Sequence, residues 1–425
     1  MMTKSRVWTL APLFFLSFLT ALIAPPAYAI PQSNSQQGSC DPLAAGGTNS
    51  LEDQQAGEKT PSRPCTESEL KSDGEPAAQA AELLRAAASG DPVSQNRLGY
   101  HYAMTLPPND VEALRWFHLA AQQGQVHALY NLGVMYENGR GGPVDHDAAA
   151  AWFRRAADLG FASAQNNLGL LYMHGEGVPR DPEKALEYFH AAAAQGDPGA
   201  EVNIGTAYFQ GSGVKRDYPE ARSWYERAAA RGFLQAYRAL GAIYIEGKGV
   251  PTDFAKAVEF FERAADGGLA PAQLVLGYLY YAGKGVPQDY SRAAAWFRKA
   301  AERGDVGAQN NLGFLYFSGR GVARDCRKAA NWYRRAADQK DLPGEYNLAV
   351  LYQTGCGVRL DYAEAYKWHA MARDRGYEPS RKALESLTQI MTPKQVEDGR
   401  ARRDRWQDEQ QSAEIKTAPE PAPAE

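Results

Sequence analysis

Along residues 90–376 the apolar positions follow one pattern, written about eight times over. In one copy, Ala164, Leu168, Leu171 and Tyr172 fall at i, i+4, i+7 and i+8, the spacing of a single buried helical stripe. Gly169 lies beside that stripe, where having no side chain lets a neighbouring helix come close. Gly175 and Gly177 then interrupt the periodicity, and Gly175 is placed to end the helix in a left-handed conformation. Asp181 caps a second helix and Pro182 occupies its first turn, where a missing amide hydrogen costs little. Ala185, Tyr188, Phe189 and Ala192 form the inner stripe of that second helix, and Gly196 closes it.

The closing glycine recurs at Gly124, Gly160, Gly196, Gly232, Gly268, Gly304 and Gly376, about 36 residues apart where copies are adjacent. A fixed period of this size predicts an all-α chain, an α/α solenoid of about eight helix pairs in which no pair is a complete domain. A tyrosine column follows the same period at Tyr102, Tyr136, Tyr172, Tyr208, Tyr244, Tyr280, Tyr316 and Tyr352. The aromatic column of the second helix reads Trp116, Trp152, Tyr188, Trp224, Phe260, Trp296, Trp332 and Trp368. At this spacing such rings read as core, and Trp224→Ala is expected to cost about 3–5 kcal/mol if the site is fully buried.

The end units depart from the pattern. The first lacks the G-x-G turn, reading M-T-L-P-P-N-D from Met104; the last has Ala349 for the usual glycine, and Lys340 replaces the closing glycine before it. Beyond Gly376, Thr392 can cap a further helix begun by Pro393, which predicts capping helices over 377–410 that cover the apolar end of the stack. The expected organisation is a signal peptide over 1–29, a disordered leader over 30–76, the solenoid over 77–376, the capping helices, and a Pro/Ala/Glu tail over 411–425.

The signal peptide rests on Lys4 and Arg6, an apolar run from about Val7 to Ile23, and Ala27-Tyr28-Ala29, a basic start, an apolar middle and a small-x-small cleavage site. Cleavage after Ala29 would leave a soluble chain, periplasmic or secreted, without stable membrane insertion. A formal net charge of -4 over 425 residues provides no general field for nucleic acid or anionic membrane. Four cysteines fit an oxidising compartment without requiring one. Cys40 and Cys65 can close one loop in the leader. Cys326 follows the cap Asp325 of one unit, and Cys356 sits in the turn of the next; a bridge there would pin two units together, while two free thiols is the equal alternative.

These residues resemble the Sel1-like repeat family, a relative of the tetratricopeptide repeat. The resemblance rests on A-x-x-x-L-G-x-x-Y, then G-x-G-V-x-x-D, then K-A-x-x-W/Y-F/Y-x-x-A-A-x-x-G, and covers roughly residues 90–376. It implies a right-handed α/α superhelix serving as an adaptor in signalling, envelope assembly, secretion or host contact. The exported branch of the family with paired cysteines in each repeat is not matched, because those pairs are missing here.

A binding face follows from helical geometry. Positions two before, two after and five after the leucine of L-G share a face opposite the buried stripe, which in the tetratricopeptide relatives lines the inside of the superhelix. Here that face holds Tyr130, Val134, Glu137, Asn166, Leu170, Met173, Val202, Phe209, Arg238, Ile245, Leu274, Tyr278, Tyr281, Asn310, Phe314, Phe317 and Tyr346. So many large apolar groups mark either a contact surface or packing against the next unit, and both readings stand. The expected partner is another protein or a peptide segment, in the role of a scaffold in the cell envelope; a secreted factor acting on a host is the alternative. The seven histidines are scattered, with no H-E-x-x-H and no metal spacing. His174 on the inner face reads as a packing or surface residue, and the G-x-G-V turns lack the spacing of a phosphate loop. No cofactor, metal or catalytic residue is expected, a peptidoglycan-directed enzyme being the remote alternative. Oligomeric state stays open.

Overall fold

A computed structural model of the chain describes residues 76–105 and 107–417. The expected signal peptide, the leader up to residue 75 with Cys40 and Cys65, and the tail from 418 lie outside those residues. The described elements are nineteen helices, which fall into two compact units with their boundary between Asp217 and Tyr218.

The N-terminal unit holds α1 (Pro76–Ala88), α2 (Pro92–Met104), α3 (Asp110–Gln122), α4 (Val126–Glu137), α5 (His146–Asp158), α6 (Ala162–His174), α7 (Pro182–Ala194) and α8 (Pro198–Gln210). The C-terminal unit begins with α9 (Tyr218–Ala230), α10 (Leu234–Glu246), α11 (Phe254–Asp266), α12 (Ala270–Ala282), α13 (Tyr290–Glu302) and α14 (Val306–Ser318). It continues with α15 (Cys326–Asp338), α16 (Leu342–Thr354), α17 (Tyr362–Asp374), α18 (Glu378–Thr388) and α19 (Pro393–Thr417). Inside each unit, successive helices through α18 pack on their neighbours in sequence, and α18 and α19 both pack on α17. This is an α/α solenoid of helix pairs, each completed by the pair beside it.

The turn between the two helices of a pair is built as its residues dictate. Gly175 takes the left-handed conformation at φ 77°, ψ 36° and its amide donates to Leu171. Asp181 then bonds twice: its side chain accepts from the Lys184 amide at 3.0 Å, and its own amide donates to the Tyr172 carbonyl at 2.8 Å. The capping aspartate therefore ties the second helix to the end of the first. Lys340, which stands where other repeats close on glycine, is held at φ 64°, a conformation that costs a side-chain-bearing residue about 1–2 kcal/mol.

The second aromatic column requires a correction. Trp116, Trp152, Tyr188, Trp224, Phe260, Trp296 and Trp332 are half-buried, and within that column only Trp368 is fully enclosed. The deep rings are one residue later, at Phe117, Phe153, Phe189, Tyr225, Phe261, Phe297 and Tyr333. One residue turns a helix by about 100°, which carries each indole to the flank. There cations cover it: Arg155 lies 4.7 Å from the Trp152 ring, Lys299 3.9 Å from Trp296 and Arg335 4.6 Å from Trp332. Trp224 donates its indole N–H to Glu220 at 2.9 Å, so a fully buried cost does not apply to it.

The glycine of L-G explains which ring goes deep. A Cβ added to Gly277 would lie 2.4 Å from Phe297, and one on Gly133 would lie 2.5 Å from Phe153. The neighbour that comes close is thus the ring of the same pair's second helix. In the last pair both partners change together: Ala349 fills the socket and His369 replaces the phenyl ring, and both are wholly buried. The smaller ring makes room for the extra methyl.

One continuous apolar cluster runs through the C-terminal unit, including Phe261, Leu276, Phe297, Leu312, Tyr333, Leu348 and Trp368. Tyr366, Leu384, Leu387 and Met391 form a second cluster under α18 and α19. Thr392 and Gln395 cap α19 reciprocally, at 2.9 Å and 3.3 Å. Arg402 donates to Asp361 and to Asp398, each at 2.8 Å, which fastens the cap to the stack. The helix continues to Thr417, past the boundary expected at 410.

Candidate partner-binding face

At four junctions an asparagine before the leucine or isoleucine of the L-G position reaches back to the preceding pair. Asn131 donates to Asn96 at 3.0 Å, Asn203 to Asn166 at 2.8 Å, Asn347 to Asn310 at 2.9 Å, and Asn311 to the Tyr278 hydroxyl at 2.6 Å. Each bond joins neighbouring first helices, and together they fix the inner positions relative to one another. The sequence reading missed this ladder because asparagine on a helix face carries no apolar signal.

In the N-terminal unit, Tyr130 is packed on Phe153 and Phe161, with ring centres 5.7 and 5.2 Å away. Burial pushes its hydroxyl up to about 12, with Glu137 adding to the shift. Glu137 itself is pushed up to about 7 by burial and by Glu176. Phe209 is half-buried. Tyr130 is therefore a packing residue of this unit.

The C-terminal unit separates its candidates into two groups. Tyr278 is 7% exposed and meets Phe297 edge-on at 5.3 Å; Tyr346 is 8% exposed and meets His369 at 5.3 Å and Tyr377 at 6.0 Å. Both belong to the interior of the stack, which the sequence left as the rival reading. Tyr281, Phe314 and Phe317 are half-buried and keep ring surface toward solvent. Two arginines gather them. Arg320 lies 5.9 Å from the Tyr281 ring, 5.6 Å from Tyr290 and 5.8 Å from Phe314, and donates to the Tyr281 hydroxyl. Arg324 lies 5.7 Å from Phe317 and donates to its carbonyl at 3.1 Å. These arginines were absent from the sequence-based face because they stand in the turn rather than on the helix. Three half-open rings with two cations stacked on them can hold a partner's apolar side chains and its carboxylates together.

Around α16 and α17 the charges are unusual. Glu345 is wholly buried and paired with Arg375; burial pushes its carboxyl up to about 7, and Arg375 opposes the shift. Asp341 is raised to about 6 by burial, its bond from the Gly344 amide pulling the other way. His369, fully enclosed, is lowered by burial to about 3 and stays neutral. Among the described residues no group of three or more His, Cys, Asp or Glu can hold a metal ion, and no helix is long and apolar enough to cross a membrane.

The profile of the Sel1 repeat matches eight consecutive segments, residues 92–125, 126–161, 162–197, 198–233, 234–269, 270–305, 306–341 and 342–377. The chain belongs to the Sel1 repeat family. Each segment begins at a first helix and ends just after a closing turn, so the helix pairs described above are its repeats 1 to 8. Among solved structures, a Sel1 repeat protein from Oxalobacter formigenes is 31% identical with a TM-score of 0.55, over 75% of this chain and 92% of that one. A protective antigen present in uropathogenic Escherichia coli strains, displaying an SLR fold, is 27% identical with a TM-score of 0.35, over 81% of this chain and 98% of that one. A search of curated proteins gives no match. Sel1 repeat proteins are generally protein-interaction scaffolds.

Proposed function

We propose that this Sel1 repeat protein is an exported scaffold of the bacterial cell envelope that binds a segment of another protein on the inner face of repeats 6 and 7. The observation that carries the reading is the cluster of Tyr281, Phe314 and Phe317 under Arg320 and Arg324. Interiors of the stack close their rings off, as Tyr278 and Tyr346 do; these three remain half-open. The envelope location is supported by the basic, apolar and small-x-small order of residues 1–29.

The double substitution Tyr281→Ser with Phe317→Ser tests it. Capture of the protein's cellular partner should fall by at least about tenfold, the loss of two interface anchors, with melting shifted by only a few degrees. Loss of folding without a specific binding defect would refute docking at this face.

A further inference from the structure

From the second repeat to the eighth, the turn rests on the second helix of the repeat before it, and at five of these junctions a pair of side chains meets across the contact. The middle residue of G-x-G follows the first residue of that earlier helix by 30 positions. Asp110 and Arg140 fill these places as an ion pair. Lys248 lies 5.8 Å from the Tyr218 ring, Lys284 5.2 Å from Phe254 and Arg320 5.6 Å from Tyr290. At the last junction the same two places hold Cys326 and Cys356, joined by a disulfide with their Cα atoms 5.4 Å apart. The backbones meet there as closely as elsewhere, since a Cβ on Gly357 would lie 2.1 Å from the Cys326 carbonyl oxygen.

A covalent bond therefore occupies a position that four other junctions fill with a non-covalent ion pair or cation–ring contact, contacts that stabilise little when exposed. It also stands where it matters most. Repeat 8 has a repeat on one side only, and a nearest-neighbour array opens most readily from its ends. Both cysteine residues are half-buried rather than enclosed, Cys356 lying against the edge of the apolar cluster. Cys326 is the first residue of α15, where helix amides favour the thiolate that leaves.

We propose that Cys326–Cys356 is a thiol–disulfide exchange site, reduced by a dithiol, whose oxidation state sets how firmly repeat 8 and the helices after it stay on the array. A thiolate of the dithiol attacks Sγ of Cys356, the bond between the sulfurs breaks, and Cys326 leaves as a thiolate. The second thiol of the dithiol then attacks the mixed disulfide, releasing Cys356 and forming the reductant's own disulfide. Two electrons pass to this protein and two thiols result; reoxidation by a disulfide partner runs the same steps backward.

The full-length protein, purified without reductant, is treated with dithiothreitol, and two quantities are read. Alkylation at Cys326 and Cys356, assigned by peptide mass, should go from absent to complete. Amide exchange over 342–410 should accelerate on the order of 100-fold, while 234–325 stays unchanged. Cys326→Tyr with Cys356→Arg, which copies Tyr290 and Arg320, should give intermediate exchange that no longer responds to dithiothreitol. Free thiols before reduction, or full reduction with no change in exchange over 342–410, would overturn the proposal. So would acceleration spread evenly over the chain. Because the first comparison uses the unaltered chain, it decides the matter even if the double variant does not fold.

Discussion

Repeats 5–7 and repeat 8 make the same joints from different parts. In repeats 5–7 a bare glycine receives a six-membered ring, as Gly277 receives Phe297; repeat 8 sets Ala349 against the imidazole of His369. Gln273 and Gln309 donate to the carbonyls of Ala265 and Ala301 that end the preceding repeat, at 2.9 and 3.3 Å. Repeat 8 places Glu345 there and joins it to Arg375. Repeat 7 ends on Lys340 in a conformation its neighbours give to glycine. The comparison shows that what recurs is a pair of matched positions, and that a change at one is met by a change at the other. Column by column, Ala349 or Glu345 looks like decay; as pairs they are alternative solutions to one packing problem.

Four tests press on this comparison. The largest effect should come from the deep ring: Phe297→Ala costs about 3–5 kcal/mol, while Trp296→Ala next to it costs about 1 kcal/mol. Chemical denaturation of the two variants separates them, and equal losses would return the tryptophan column to the core. Next, His369→Phe overfills the socket of repeat 8 and should destabilise it by about 1–3 kcal/mol. Adding Ala349→Gly should recover most of that loss, a coupling readable in a double-mutant cycle. Independent, additive losses would break the pairing.

Third, Glu345 gives a pH dependence of known sign. Its carboxyl is raised from 4.5 to about 7, so its contribution to stability is complete below about pH 4.5 and is lost as pH rises through 7. Asp341, raised to about 6, acts in the same direction. Glu345→Gln restores the amide used by repeats 6 and 7 and should slow exchange in α16 above pH 7, by about 1–2 kcal/mol, flattening the slope between pH 5 and 8. An unchanged slope would contradict the assignment. The smallest effect should be Lys340→Gly, a gain of about 1 kcal/mol as the left-handed strain is relieved, seen as a higher melting temperature; a loss would mean that the lysine side chain holds more than its backbone costs.

Much of the architecture could be read beforehand, because caps, turns and periods act locally. Asp181, Gly175 and Thr392 do what their positions require, and the socket beside Gly169 was visible as a missing side chain. The ring that fills it was not. An amphipathic period locates a stripe but not its centre, so two adjacent aromatic residues could be exchanged in the reading. On the candidate face, Tyr281, Phe314 and Phe317 were legible as apolar residues on a polar side. That Tyr278 and Tyr346 turn inward depends on Asn311, Phe297 and Tyr377, contributed from other helices. Arg320 was hidden for another reason: its partner stands 30 residues upstream, an offset that shows only when the repeats are compared across junctions.

The central functional claim concerns the open rings of repeats 6 and 7, and site-specific photo-crosslinking tests it most directly. A photoreactive side chain at Phe314 of the full-length protein, activated in living cells, should give one discrete adduct with a second protein. The same group at Trp332, on the cation-covered flank, should give none. No adduct from position 314, or equal adducts from both positions, would contradict the account.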